Sequence, residues 1–241
     1  MSQVDRSEYL GVKEGMKDGL PVFIGYFPIA MAFGILSRGT GITLGETLAF
    51  SFIVFAGAAQ FIGVGMIAAG VGGIEIVIAT LFLNFRHFLM SASLSAQMGF
   101  DHPLFKPLIS FFVTDESFSV ASFAKGKLTT AYMIPMQLLG YFGWGIGTGV
   151  GYMAGSILPP LLQKAMEIGL YVMFVALLVP EMKKTHKAIV LAVIAGVFNT
   201  GLRYLVGLPQ GWSIVVTILL VSLMGVLFFD EGVLEEVVDY E

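Results

Sequence analysis

Three charged side chains lie inside long apolar stretches of this sequence, where a charge is costly. Arg86 is near the middle of one stretch, and Asp115 and Glu116 are near the middle of the next. Each such charge costs about 2.5 to 3.5 kcal/mol at the centre of a membrane-spanning helix, so its presence indicates a partner or a use. A basic group can bind a carboxylate, and a carboxylate can hold a proton or bind an ammonium group.

The two stretches are predicted to form a hairpin, because the turn between them, residues 99–103, lies midway between Arg86 and Asp115. The hairpin brings both residues to a similar membrane depth, so we expect Arg86 to pair with Asp115 or Glu116. Adjacent helical residues point about 100° apart, which leaves the other carboxylate to carry a coupling proton or bind a substrate ammonium group. A salt bridge that only locks the hairpin is the alternative.

Three further polar residues are candidates for substrate binding or ion coupling. Asn84 and His87 lie on either side of Arg86 in the sequence. The imidazole of His87 either gains and loses a proton or forms a hydrogen bond in helix packing. Gln60 closes a run of small residues that includes Gly57. That run predicts either a ligand pocket or a close helix contact with one interhelical hydrogen bond. The candidate substrate or coupling residues are therefore Gln60, Asn84, Arg86, His87, Asp115 and Glu116.

The composition places these residues in a membrane protein. Hydrophobic residues make up 56% of the 241 positions and charged residues only 12%, and the mean hydropathy is +0.86. Such a chain is too apolar for a soluble globular surface. It has no cysteine, no phosphate-binding loop and no hydrolase or zinc-protease motif. We therefore expect no catalytic residue, no cofactor, no metal ion and no nucleic-acid partner.

The apolar runs are continuous and about 20 residues long, which predicts an all-α bundle of about seven or eight membrane helices rather than a β-barrel. The sixth run is short and flanked by prolines, so it either crosses or re-enters the membrane. The predicted spans are 20–37, 47–69, 74–95, 104–124, 129–153, 167–180, 188–206 and 212–229.

The distribution of lysine and arginine predicts a cytoplasmic N-terminus, because most of these residues then fall on the cytoplasmic side. We expect residues 1–19 to form a cytoplasmic segment and residues 20–229 a single transmembrane transport domain. Residues 230–241 are rich in acids and are expected to form a solvated tail.

Prolines and glycines predict where helices break or approach closely. Pro21, Gly25 and Pro28 predict a broken first span, whose freed backbone groups would hold a substrate as in many transporters. The fifth span carries glycines at every fourth position, which places them on one helix face. This face predicts close contact with another backbone, and lining of a permeation path is the alternative. The stripe comprises Gly143, Gly147 and Gly151, and it continues to Gly155.

A weak internal repeat is also visible. Gly25-Tyr26-Phe27 recurs 115 residues later as Gly140-Tyr141-Phe142, and Asn84 recurs at Asn199 with the same offset. A duplication would relate spans one to four to spans five to eight in parallel, and chance is the alternative.

The motifs resemble those of the AzlC family, the large subunit of branched-chain amino acid exporters. The resemblance is carried by Gly25-Tyr26-Phe27-Pro28, by Phe55-Ala56-Gly57-Ala58-Ala59-Gln60 and by Asn84-Phe85-Arg86-His87-Phe88-Leu89, with Asp115-Glu116-Ser117-Phe118 following. It implies a multi-pass protein of a bacterial or archaeal plasma membrane that exports valine, leucine, isoleucine and similar apolar amino acids. It also implies a small membrane partner of the AzlD type.

The leading hypothesis is a secondary exporter driven by an ion gradient. In it, Asp115 or Glu116 balances the substrate ammonium or exchanges a proton, while Arg86 faces the substrate carboxylate or the neighbouring acid. The alternative is a membrane channel or a non-transporting scaffold subunit, in which the buried charges serve only assembly.

Overall fold

A computed structural model describes residues 9–98, 104–155, 185–208 and 210–229, together with isolated positions between 157 and 183. Within these residues the ordered backbone is helical, apart from an isolated bridge between Tyr9 and Lys127. This confirms the predicted all-α membrane fold. The predicted sixth span, 167–180, and the acidic segment 230–241 lie outside the described helices.

The described helices fall on the predicted spans, but the first begins at Val12, eight residues before the predicted start at residue 20. Three of them, Val12–Gly39, Gly73–Gln97 and His186–Tyr204, are long and apolar enough to cross a membrane, and shorter apolar helices accompany them. Together with the mean hydropathy, they make this a multi-pass membrane protein. In chain order the described helices are α1 (Val12–Gly39), α2 (Leu44–Ala49, continued by a π-helical turn Phe50–Val54), α3 (Gly57–Ala68), α4 (Gly73–Gln97), α5 (Phe105–Phe111), α6 (Asp115–Ser122), α7 (Thr130–Ala154), α8 (His186–Tyr204) and α9 (Gln210–Phe229).

The chain divides into two compact units. The first comprises Met1–Ala68 with Asn84–Tyr171, and the second comprises Ala69–Leu83 with Val172–Glu241. In the second unit α8 packs against α9. In the first unit α1 packs along α7, and all the candidate residues named above belong to this unit.

The contact between α1 and α7 is close enough to require glycine on both helices. A Cβ atom on Gly147 of α7 would lie 2.6 Å from the Phe27 carbonyl oxygen, and one on Gly151 would meet the Met31 carbonyl. On α1, a Cβ atom on Gly34 would meet the Thr148 carbonyl. Because contacts advance in the same direction along both helices, α1 and α7 are parallel. This is the close backbone approach that the glycine spacing predicts.

Helix α1 is continuous through Pro21 and Pro28, so the break predicted for span one is absent. Each proline removes one backbone donor, which costs a single helical hydrogen bond and a steric adjustment. Close contacts with α7 extend from Gly15 to Gly34 of α1, on both sides of the two prolines, and favour a continuous helix there. Gly25 has open space around its Cβ position and contributes no close contact.

The breaks lie in spans two and four instead. In span two the π-helical turn ends at Phe55, whose φ of 44° is left-handed and strained for a bulky residue, and the helix resumes at Gly57. In span four, α5 ends at Phe111 and α6 begins after Thr114. The two breaks meet at Tyr141 of α7, whose ring centroid is 5.0 Å from that of Phe55 and 4.9 Å from that of Phe112.

Replacement of Gly147 by alanine tests the α1–α7 contact. The added methyl group would press on the α1 backbone, and overpacking of this kind costs about 1 to 3 kcal/mol. We expect Gly147→Ala to lower the melting temperature of the purified protein in detergent. Gly25→Ala is the matched control, because its methyl group meets nothing and alanine has the higher helix propensity. Equal melting temperatures for the two variants would contradict the contact.

Candidate functional site

The start of α6 is fixed by a reciprocal cap between Thr114 and Ser117. The Ser117 N–H donates to Thr114 Oγ1 at 3.3 Å, and the Thr114 N–H donates to Ser117 Oγ at 2.9 Å. Both residues are buried. The cap sets Asp115 and Glu116 in the first turn of α6, where the positive end of the helix dipole favours negative charge.

Arg86 of α4 pairs with Asp115, as the hairpin predicts. Arg86 Nη1 lies 2.7 Å from Asp115 Oδ2, and the two side chains are 33% and 21% exposed. The pair neutralises one of the two adjacent acids. Within the described part of the chain, Arg86 Nε is buried and has no acceptor.

Glu116 takes a different partner. The hydroxyl group of Tyr26, on α1, donates a hydrogen bond to the Glu116 carboxylate. Among the described residues no basic side chain forms an ion pair with Glu116, so this is the spare carboxylate that the sequence predicts. A neutral donor and the positive end of α6 stabilise its charge.

Tyr26 and Trp144 form an aromatic pair between the start of α6 and the helix break in span two. The ring of Tyr26 meets that of Trp144 edge to face at 5.4 Å between centroids, and Trp144 stacks on Phe33 at 6.5 Å. All three side chains are buried. The indole of Trp144 also abuts Gly57, where a Cβ atom would lie 2.6 Å from the ring. Tyr26 and Trp144 therefore connect the start of α6 to the start of α3.

The side-chain amide of Gln60 forms hydrogen bonds across the break in span two. Its Oε1 accepts a hydrogen bond from the Ala56 N–H at 3.1 Å, and its Nε2 donates to Ser51 Oγ at 3.2 Å. Ser51 in turn shares a 2.8 Å hydrogen bond with Thr148 of α7. Gln60 is 1% exposed. Of the two roles that the sequence leaves open, this geometry matches the helix contact, because the amide is already engaged on both sides.

Among the described residues, neither His87 nor Asn84 forms a hydrogen bond or ion pair with Arg86 or Asp115. His87 lines an open groove of about 570 Å³ beside α4 and α5, together with Ser91, Ser95 and Ser110. Within the described residues, Asn84 Oδ1 is buried without a donor. In the same part of the chain, no group of three or more His, Asp or Glu side chains is arranged to hold a metal ion.

Sequence reasoning missed Tyr26, Trp144 and the Thr114 cap. Thr114 and Ser117 have the spacing of a helix-start motif inside an apolar run, and that signal identifies the break in span four. Tyr26 and Tyr141 occupy equivalent positions in the weak repeat, and each donates its hydroxyl hydrogen to a residue at or near a helix break. Nothing in the sequence distinguishes Trp144 from a packing residue.

Comparisons with known proteins point to one family. The sequence profile of the family described as AzlC protein matches residues 21–158, which include every residue of this region. The inner membrane protein YgaZ of Escherichia coli is 30% identical over 192 residues, covering 76% of this chain and 78% of that protein.

Two other relatives have somewhat lower identities. An uncharacterized membrane protein of Archaeoglobus fulgidus is 28% identical over 176 residues, covering 72% of this chain and 77% of its own length. The branched-chain amino acid transport protein AzlC of Bacillus subtilis is 24% identical over 176 residues, covering 70% of this chain and 66% of that protein. No solved structure matches.

Charge exchange tests the ion pair. Asp115→Arg places two cations together, so we expect it to lower stability by about 1 to 3 kcal/mol, less than for a fully buried pair because both side chains are partly exposed. The double variant Arg86→Asp with Asp115→Arg restores attraction and is expected to recover most of the abundance and melting temperature. Glu75→Arg, an acid-to-base reversal near the start of α4, controls for the same change in net charge. A double variant as unstable as the single one would contradict the pairing.

Proposed function

The chain is a member of the AzlC family, and we propose that it exports branched-chain or similar apolar amino acids by an ion-gradient-driven mechanism. Family membership supports membrane transport, and the name of the Bacillus subtilis relative supports this class of substrate. The observation that carries the proposal is Glu116, an acid inside the membrane protein that forms no ion pair with a basic side chain among the described residues.

Glu116 is suited to exchange one cation for another. Asp115 is already neutralised by Arg86, so Glu116 is the acid whose charge remains to be balanced. A carboxylate removed from water without a cation is costly, and a proton or a substrate ammonium group relieves that cost. The two cations compete for one carboxylate. Proton entry would therefore displace the substrate, which couples the two movements in opposite directions.

Tyr26 would act as a positioning residue for this exchange. Its hydroxyl group donates to the ionised carboxylate, and it can accept from the same group once Glu116 is protonated. The hydrogen bond thus survives in both protonation states with its direction reversed. This keeps the Glu116 side chain in one place while its charge changes.

The surroundings suit an apolar side chain. Aromatic rings line both helix breaks in two groups, Phe33 with Trp144 in one and Phe55, Phe112 and Tyr141 in the other. Apolar contacts discriminate a single methylene by only about 1 to 3 kcal/mol. Broad selection among valine, leucine and isoleucine is therefore expected rather than specificity for one of them.

We also propose that a small membrane protein of the AzlD type associates with the chain. The family resemblance supports this partner, and α4 offers apolar surface that suits either lipid or a second membrane protein. Phe85, Phe88 and Leu89 on this helix are 56%, 67% and 58% exposed.

The test is efflux of preloaded radiolabelled valine from cells that lack this protein. We expect the chain, expressed with its small partner, to accelerate efflux, and Glu116→Gln at equal abundance to abolish the increase because its amide can neither exchange a proton nor bind ammonium tightly. Glu75→Gln, a change of the same kind near the start of α4, is expected to export normally. Full export by Glu116→Gln would contradict the exchange mechanism. No valine efflux at verified abundance would favour another substrate or a non-transporting scaffold.

A further inference from the structure

Helix α7 serves as a scale for the path of the chain on either side of the two helix breaks. Before the first break, Ser51 Oγ shares a hydrogen bond of 2.8 Å with Thr148 Oγ1. Further along the chain, the Phe55 ring meets that of Tyr141, with 5.0 Å between their centroids. Tyr141 is about two turns nearer to the start of α7 than Thr148. The chain therefore runs antiparallel to α7 up to this break.

After the first break, α3 returns in the direction from which α2 came. Gln60 Nε2 donates to Ser51 Oγ at 3.2 Å. A chain that continued in the same direction through the break would separate the backbones of these two residues by about 13 Å, which is more than a glutamine and a serine side chain can bridge. Gln60 is thus back beside Ser51. Helices α2 and α3 form a helical hairpin with its tip at Phe55.

The chain approaches the second break in the opposite direction. Gln137 Nε2 donates to the Ile109 carbonyl at 3.1 Å, two turns into α7. The Phe112 ring meets that of Tyr141 with 4.9 Å between their centroids. Because both members of these two pairs advance together along the chain, α5 runs parallel to α7. It reaches Tyr141 from the end of α7 opposite to the one from which α2 comes.

Helix α6 then turns back towards the start of α7. The Glu116 carboxylate accepts a hydrogen bond from Tyr26, which lies about 21 Å along α1 from its first residue. Lys127 lies beside that first residue, because its carbonyl accepts a hydrogen bond from the Leu10 N–H at 3.2 Å. The linker from Ser122, at the end of α6, to Lys127 reaches at most about 18 Å. If α6 ran away from the start of α1, the two residues would be about 30 Å apart. Helices α5 and α6 therefore form a second hairpin.

We propose that α2–α3 and α5–α6 are re-entrant hairpins that enter the membrane from opposite faces, and that Phe55, Phe112 and Tyr141 form the barrier of the transport path where the two tips meet. The inference rests on the proposed function only in assigning the barrier to transport. The longest helix of either hairpin, α3, has 12 residues. It spans about 18 Å, against about 30 Å for the hydrocarbon core of a bilayer.

The tips have the properties that a central barrier requires. Non-helical backbone at membrane depth is tolerated only where protein buries it or where it lines a water-filled cavity. Phe55 and Phe112 are 4% and 9% exposed, and both rings contact the one ring of Tyr141. Movement of either hairpin away from Tyr141 would open the path to one face of the membrane and leave it closed to the other. Glu116, the acid proposed to exchange cations, lies just beyond the tip of the second hairpin.

Cysteine labelling tests the two hairpins. The chain has no cysteine, so single variants can be made at exposed positions without a further change. Ala68 is near the end of α3, and Ala96 lies in the last turn of α4, which leads into α5. With a membrane-impermeant maleimide in intact cells and in inverted vesicles, we expect Ala68→Cys to react from the same face as Gly45→Cys, and Ala96→Cys from the same face as Lys13→Cys. Spans that cross at both breaks would exchange the faces of Ala68 and Ala96, and that pattern would overturn the inference.

Removal of the shared ring tests the barrier. In proteoliposomes that contain no amino acid, we expect Tyr141→Ala to raise the rate of proton leak severalfold, because water can enter the space that the ring leaves. A trapped pH-sensitive dye measures the leak. Phe112→Ala, which removes the ring of one tip, is a second variant with the same expected direction. Phe228→Ala truncates an aromatic residue of α9 that is 74% exposed, so it should leak as the wild type does. Wild-type leak rates in both ring variants at equal abundance would overturn the barrier.

Neither measurement uses valine, so the two proposals can fail separately. If labelling and leak are as expected but no valine is exported, the hairpins and their barrier stand and the proposed substrate is wrong. If valine is exported but the labelling pattern is that of crossing spans, export stands and the hairpins are wrong.

Discussion

The close contact between the backbones of α1 and α7 is the constraint on which the rest of the first unit depends. Glycine on both helices lets the two backbones meet, as at Gly34 and Gly147, and the helices then run parallel and in fixed register. That register brings Tyr26 of α1 beside Trp144 of α7. A larger residue at either glycine would separate the helices and with them the two rings.

Tyrosine hydroxyl groups on α1 and α7 form hydrogen bonds with residues at the helix breaks in spans two and four. Tyr26 donates to Glu116 in the first turn of α6, and Tyr141 donates to the Phe52 carbonyl in the π-helical turn before α3 at 2.7 Å. Backbone groups freed by a break must be satisfied inside a membrane protein, because lipid offers no hydrogen bonds. At the start of α6, the Glu116 carboxylate forms no ion pair with a basic side chain among the described residues.

Individual residues show how far the sequence alone could be interpreted. Arg86 had to lie near an acid, because a hairpin of two apolar spans equalises their depth and an unpaired charge is costly there. Which acid it takes depended on the cap at Thr114, which sets the rotation of α6 and directs Asp115 to α4 and Glu116 to α1. The prolines of α1 suggested a break, but the packing along α7 holds that helix continuous.

The sequence by itself determined that this protein lies in a membrane and where its described apolar helices lie along the chain. It also determined that one face of α7 carries glycines and that Arg86 needs an acidic partner. Those features follow from hydropathy and helical spacing, which are local properties of the chain. Tertiary structure alone decided where the helices break and which polar groups remain unpaired. Phe55 adopts its left-handed conformation beside Tyr141, and Trp144 meets Gly57, through contacts between residues distant in sequence. No periodicity in the sequence records such contacts, because they depend on how whole helices pack.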